Sequence, residues 1–303
     1  VPAEIIDVHQ HLWPPEFIEE LRRRSTPPML RGWTLHTCGE APYVVDPDAH
    51  DPAIRAAGEH DRAAVLLSLS APLGIEHLKP ELGQLLLDAW HTGLAALPDP
   101  FNGWASVTAQ DPDLDGLSRL LQGGLVGLQV GADQLSDPAA LTRLMPTLRR
   151  CEELDKPVLV HPGPVAGPEP ASGSPSSPDW WPPVVQYSSQ LQAAWWAWHV
   201  AGRASLPDLR VCFVAGGGLA ALHHERFSAR GGGTFVVDPL VFVDTSSWGR
   251  QGIDNLTRAL GIDPIVLGSD RPYAEPVNPQ LGDAAWRAIT VTNPRRLLEG
   301  AHS

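Results

Sequence analysis

The run Ile6-Asp7-Val8-His9-Gln10-His11 closes an apolar stretch near the start of the chain with two histidines one residue apart. On an extended strand, residues two apart point to the same face, so both imidazoles can converge on one ion. Neutral imidazole is a good ligand for Zn, Fe, Cu or Ni. A lone His-x-His pair is only a moderate signal. Two later runs strengthen it, because each is apolar and ends in a ligand-type residue: Pro157-Val158-Leu159-Val160-His161 and Ile265-Val266-Leu267-Gly268-Ser269-Asp270.

Working outward, short β-type runs alternate with longer segments of helical character. The strand candidates are residues 4–8, 64–69, 102–107, 125–130, 157–161, 209–215, 241–244 and 264–268. Between most of them apolar residues recur at three- and four-residue spacing, as in 81–97, 137–154 and 191–204. Ser136-Asp137-Pro138 and Asp111-Pro112-Asp113 look like helix starts. Eight strands in βα alternation predict an α/β fold, either a closed (β/α)8 TIM barrel or a doubly wound sheet. In a barrel all parallel strands end at one mouth, so His9, His11, His161 and Asp270 would meet there. Two long irregular stretches, 12–51 and the Pro/Ser/Gly-rich 163–185, follow strands 1 and 5 and read as active-site loop insertions. With no repeat and no clean linker, residues 1–303 are expected to form one domain.

Composition narrows the partners. Lys and Arg number 22 against 35 Asp and Glu, a formal charge of −13. Such a surface repels polyanions, so neither nucleic acid nor an anionic membrane is expected as a partner. No apolar stretch is long enough to span a bilayer. Cys38, Cys151 and Cys212 fit neither a disulfide framework nor a metal knuckle; they read as core fillers and favour a reducing cytoplasm.

Taken together, these motifs resemble the amidohydrolase superfamily, in the branch that contains aminocarboxymuconate-semialdehyde decarboxylase. The resemblance runs over almost the whole chain: IDVHQH at 6–11, WASVTAQDP at 104–112, GLVGLQVG at 124–131 and PVLVHP at 157–162, then LRVCFVAGGG at 209–218, FVDTS at 242–246, VLGSDRP at 266–272 and NPRRLL at 293–298. It implies a (β/α)8 barrel, and it assigns one divalent metal, zinc being favoured, to His9, His11, His161 and Asp270. One departure matters. The family's sixth strand usually ends in a histidine that serves the metal-bound water, and here that position is Ala215. Such a loss costs ~10²–10⁴-fold in general acid–base catalysis unless another group serves. Asp270 is the candidate; His223 and His224 lie too far along the following segment.

A competing motif sits at the same place. Gly216-Gly217-Gly218-Leu219-Ala220-Ala221, with Asp238 about twenty residues on, imitates a dinucleotide fingerprint. It comes late in the chain, though, and it leaves the histidines unexplained. Of the eleven tryptophans, most are expected to pack. Trp13, Trp33, Trp180 and Trp181 fall in the long loops, where Trp13 is the candidate for lining a substrate pocket. Arg250, Arg271 and Tyr273 follow strand ends, and Arg271 and Tyr273 are candidates for orienting a substrate carboxylate or carbonyl.

The leading expectation is a metal-dependent hydrolase of a small molecule, with Asp270 as the catalytic proton shuttle. The first alternative is a nonoxidative decarboxylase of a small aromatic or unsaturated acid. The second is a catalytically silent barrel kept for ligand binding, for which Ala215 speaks. The expected partners are a small-molecule substrate and, at most, a second copy of the chain in a homodimer.

Overall fold

The computed structural model describes residues 4–165 and 178–300. Eight short parallel strands form its centre: β1 (Ile5–Gln10), β2 (Arg62–Leu67), β3 (Phe101–Gly103), β4 (Leu128–Gly131), β5 (Val158–His161), β6 (Val211–Phe213), β7 (Val241–Asp244) and β8 (Ile265–Val266). Each falls on a run expected to be a strand. Regular pairing joins β1-β2-β3 and, separately, β4 through β8 in chain order.

Backbone bonds at two seams close the ring. At one, Ala105 pairs with Leu128, its N–H donating to the Gly127 carbonyl at 2.8 Å while its own carbonyl accepts from Gln129 at 2.7 Å. At the other, the Val8 N–H donates to Leu267 O at 2.8 Å and the Asp270 N–H to His9 O at 2.9 Å. The result is an α/β barrel whose first and last strands are neighbours. Near-continuous apolar strands suit this closure, because each is covered by barrel interior on one side and helices on the other. Val8, Val65, Val158, Leu159, Val160, Phe213, Val243 and Ile265 are all fully buried.

The helices between strands begin as the sequence indicates. The Asp137 side chain caps Pro138–Glu153 by accepting from Ala140 N at 2.8 Å, and Asp113, the second aspartate of its motif, caps Leu114–Gln122 by accepting from Gly116 N at 2.8 Å. Such caps satisfy amide groups that lack an intrahelical partner. The helix Pro80–Ala96 lays Leu86, Leu87, Trp90 and Leu94 onto the barrel. There the Trp90 indole N–H bonds Trp104 O at 3.2 Å, and the Trp104 indole N–H bonds Val8 O at 3.0 Å.

The stretch after β1 is more ordered than its sequence suggests. It contains the helix Pro15–Arg23 and a small antiparallel sheet of Met29–Arg31, Thr34–His36 and Tyr43–Val44. Strands of two or three residues are too short to show alternation, which is why the pattern missed them. In the stretch after β5, residues 166–177 lie outside the described residues, and helical structure begins at Pro182 rather than after Val185. Cys151 and Cys212 are buried fillers as expected, but Cys38 is exposed. Among the described residues no helix is long and apolar enough to cross a membrane.

Candidate active site

His9 belongs to β1 and His11 lies one residue beyond its end, so the period of two turns both rings to the barrel mouth. His161 ends β5. Asp270 follows β8 in a left-handed backbone conformation (φ 62°), which an aspartate tolerates better than most residues. The three imidazoles stand nearly perpendicular to one another, with centroids 5.0, 5.1 and 5.2 Å apart. One nitrogen from each lies within 4.8 Å of the others.

The other nitrogen of each ring decides what the cluster can do. His9 Nδ1 faces Asp244 Oδ2 at 2.8 Å, His11 Nδ1 faces Ser68 O at 2.9 Å, and His161 Nδ1 faces Pro162 O at 2.9 Å. Carbonyls and a carboxylate can only accept, so each Nδ1 carries the proton and each Nε2 offers a lone pair. His9 Nε2 and His11 Nε2 are 3.1 Å apart, and Asp270 Oδ1 lies 3.2 Å from the latter and 3.7 Å from the former. Donors about 2.1 Å from a tetrahedral ion stand roughly 3.4 Å from each other. Four inward-facing acceptors at such spacing repel one another unless a cation lies between them, so this donor set fits a divalent metal.

The electrostatics agree. Burial pushes the proton affinity of His161 well below the ordinary histidine value, and nearby His9 and His11 push it further. Burial likewise lowers His11, against the pull of Asp270. For His9 burial acts downward too, but the hydrogen bond and charge of Asp244, with Asp270 and Asp7, raise it overall. Burial alone would raise Asp270; His11 at 3.2 Å, with His9 and His161, holds it instead at about 2 when those rings carry a second proton. Two neutral rings and an ionised carboxylate are the forms that ligate metals.

Asp244 was not foreseen as a site residue. It is fully buried at the end of β7, and beyond His9 its Oδ1 accepts from Ala215 N at 2.7 Å, Ser246 N at 3.0 Å and Ser246 Oγ at 2.6 Å. A Cβ on Gly268 would run into this carboxylate, so the glycine of the GSD run is needed for the approach. Below the mouth, Arg55 Nη1 donates to His11 O at 2.7 Å and its other amino group bonds Gln10, tying the β1 end to the helix Pro52–Ala57.

The mouth opens into a cleft of about 580 Å³ floored by His9, His11, His161 and Asp270, with Tyr273 among its walls. The Tyr273 ring centroid lies 5.3 Å from that of His11. Other sequence candidates are elsewhere. Trp13 is wholly buried, stacks on His50 at 4.3 Å and bonds Ser70 Oγ at 3.2 Å; it is core, not pocket wall. Arg271 is held by Glu59 at 3.1 Å and Glu275 at 2.8 Å, and it does not line the cleft. Neither do Trp33, Trp180, Trp181 or Arg250. Trp248 does, donating its indole N–H to Ala215 O at 2.7 Å, and nothing in its sequence position drew notice. A larger groove of about 870 Å³ lies between the helices Pro80–Ala96 and Leu114–Gln122 and shares no lining residue with the cleft.

Ala215 lines the cleft where β6 gives out, so no imidazole reaches the site from that strand. The chain then runs through Gly216, Gly217, Gly218 and Leu219 with φ of 59–60°, a left-handed turn. A Cβ at Gly216 or Gly218 would meet Leu256 and Trp248, or Ser188. These glycines serve that turn and its packing. No right-handed helix opens on them, and Asp238 is paired with Arg203 at 2.6 Å, so the dinucleotide motif has none of its structural context. His224 stacks on Phe235, away from the floor residues.

Comparison with known proteins gives a consistent picture. A sequence profile described as Amidohydrolase matches residues 6–300. A 2-amino-3-carboxymuconate-6-semialdehyde decarboxylase of Dictyostelium discoideum is 25% identical over 307 residues, covering 88% of this chain and 81% of the relative. Among solved structures, Metarhizium anisopliae IDCase in apo form superposes with a TM-score of 0.75 at 18% identity, over 98% of this chain and 97% of that one. A Polaromonas dihydroxybenzoic acid decarboxylase, solved with bound manganese and the inhibitor 2-nitroresorcinol, gives 0.69 at 17% identity over 99% and 98%.

Proposed function

This chain belongs to the amidohydrolase family, and from that membership we propose that it acts, as one domain, as a metal-dependent nonoxidative decarboxylase of a small aromatic or unsaturated carboxylic acid. The observation that carries the metal-dependent part is the convergence of three Nε2 lone pairs and the Asp270 carboxylate on the floor of the cleft. His9, His11, His161 and Asp270 would hold the ion. When bound, a divalent ion supplies Lewis-acid polarisation of the substrate's oxygens. Three histidines favour zinc, and the manganese of the Polaromonas relative makes that metal the alternative.

The sequence alone put hydrolysis first. The names of the relatives and the chemistry available around Ala215 reverse that order. Hydrolysis needs a base for water and an acid for the leaving group, whereas decarboxylation needs one proton placed on the carbon that loses CO2. With no imidazole at Ala215, Asp270 is the titratable group beside the ligating nitrogens. Held low by its histidine neighbours, Asp270 rests ionised near neutrality, so it must first take up the proton it delivers.

A hydroxyl next to the carboxyl group meets that need. Asp270 takes the hydroxyl proton and passes it to the carbon bearing the carboxylate. The C–C bond then breaks, its electron pair returns to the ring system, CO2 leaves, and water reprotonates the oxygen. The apolar cleft wall, with Leu73, Leu191 and Val214, keeps bulk water from competing for that proton.

The test is to load the protein with Zn or Mn, incubate it with hydroxybenzoic and unsaturated hydroxy acids, and follow labelled CO2. CO2 release that disappears in Asp270→Asn supports the reading. Hydrolysed product without CO2 would return the protein to the hydrolase reading, and no turnover with stoichiometric metal would favour a binding barrel.

A further inference from the structure

The cleft is lined without a single lysine or arginine among the described residues. Residues 166–177 contain neither in their sequence, so they cannot supply one. Arg271, the arginine nearest in sequence to Asp270, is engaged by Glu59 and Glu275. Away from the ligand cluster, the full charges on the wall are negative, those of Glu40 and Asp179.

Glu40 is held in place. It lies between the small-sheet strands Thr34–His36 and Tyr43–Val44, with its N–H donating to Thr37 Oγ1 at 3.1 Å. The Tyr187 hydroxyl, on the helix that follows the second long loop, donates to its carboxylate. Burial pushes the Tyr187 phenol up, and the negative Glu40 adds to that, so Tyr187 stays a neutral donor. Both residues line the cleft, and the pair joins the loop after β1 to the helix before β6.

Resting on the decarboxylase reading for the position of the reacting carboxylate, we propose that the cleft selects monocarboxylic substrates whose far end carries a hydrogen-bond donor, an amine or hydroxyl. Glu40 is the specificity-determining residue. A second carboxylate at the far end would meet the Glu40 carboxylate in a wall that offers hydroxyls but no cation to receive it, and an unpaired charge in such a place is costly. An amine or hydroxyl there donates to the Glu40 carboxylate, the stronger class of hydrogen bond.

The experiment measures binding rather than turnover. Manganese-loaded protein is titrated calorimetrically with benzoate, 3- and 4-aminobenzoate, isophthalate and terephthalate. The aminobenzoates are expected to bind at least about tenfold more tightly than the dicarboxylates. Glu40→Gln should shrink that ratio toward one, Glu40→Asp should preserve its sign, and Glu40→Arg should invert it. Dicarboxylates binding as tightly as aminobenzoates, or a ratio indifferent to Glu40→Gln, would overturn the proposal. If the ratio holds while no acid yields CO2, the decarboxylase reading fails and the cleft preference stands.

Discussion

Two sets of buried histidines use the same side chain in opposite ways. At the barrel mouth, His9, His11 and His161 each give Nδ1–H to an acceptor and turn Nε2 inward. On the flank, His50 Nδ1 accepts from the Trp13 amide at 3.0 Å, and His91 Nε2 accepts from the Ser106 amide at 3.1 Å. Burial drives the flank rings down to about 3 and about 4, so low proton affinity does not separate the groups. The bond made by the second nitrogen does. A ring that donates outward leaves a lone pair for a ligand; a ring that accepts from the backbone stands in for a missing carbonyl.

The sharpest way to break this contrast is through Asp270, the carboxylate that faces the first set. Asp270→Asn is expected to lower turnover by ~10²–10⁴-fold, measured as CO2 release, while His91→Phe leaves turnover unchanged. Next in size is Asp244→Ala, which removes the acceptor that fixes His9. Metal affinity should fall by ~10–100-fold, read by competition with a chelator, whereas His50→Phe should not alter metal content.

Smaller effects belong to the flank. His91→Ala leaves the Ser106 amide unpaired and should cost about 1–3 kcal/mol in denaturant unfolding, with metal stoichiometry intact. The smallest is a pH dependence. The folded pKa of His91, about 4, lies below the ordinary 6.5, so the unfolded chain binds the extra proton between those values. Its contribution is complete above pH 6.5 and is lost as pH falls toward 4, at about 1.4 kcal/mol per pH unit. His91→Phe should flatten that part of the stability profile; an unchanged slope would show that His91 does not titrate there.

The first set was legible because each of its members ends an apolar run, and a barrel brings such ends together. Asp244 obeys the same pattern in Phe242-Val243-Asp244 and was passed over. Its role depends on β7 meeting β1 across the mouth, with β8 between them, and that relation is not written locally. Trp13 and Arg271 also follow strand ends, yet both turn away from the cleft. The loop path decides that, and it is fixed by partners distant in sequence: Ser70 and His50 for one, Glu59 for the other. Glu40 and Tyr187 were invisible for the same reason, being 147 positions apart.

The seam between β1 and β8 has a consequence for how the protein is made. Asp270 leaves the ribosome well after His9, and the Asp270 N–H bonds the His9 carbonyl itself. At about 5–20 residues per second, roughly 13–50 s separate the two during synthesis. Throughout that interval a nascent chain displays His9 and His11 without their carboxylate partner. The proposed metal site is therefore incomplete until β8 has emerged, and a translation product cut short before β8 would lack both the ring closure and Asp270.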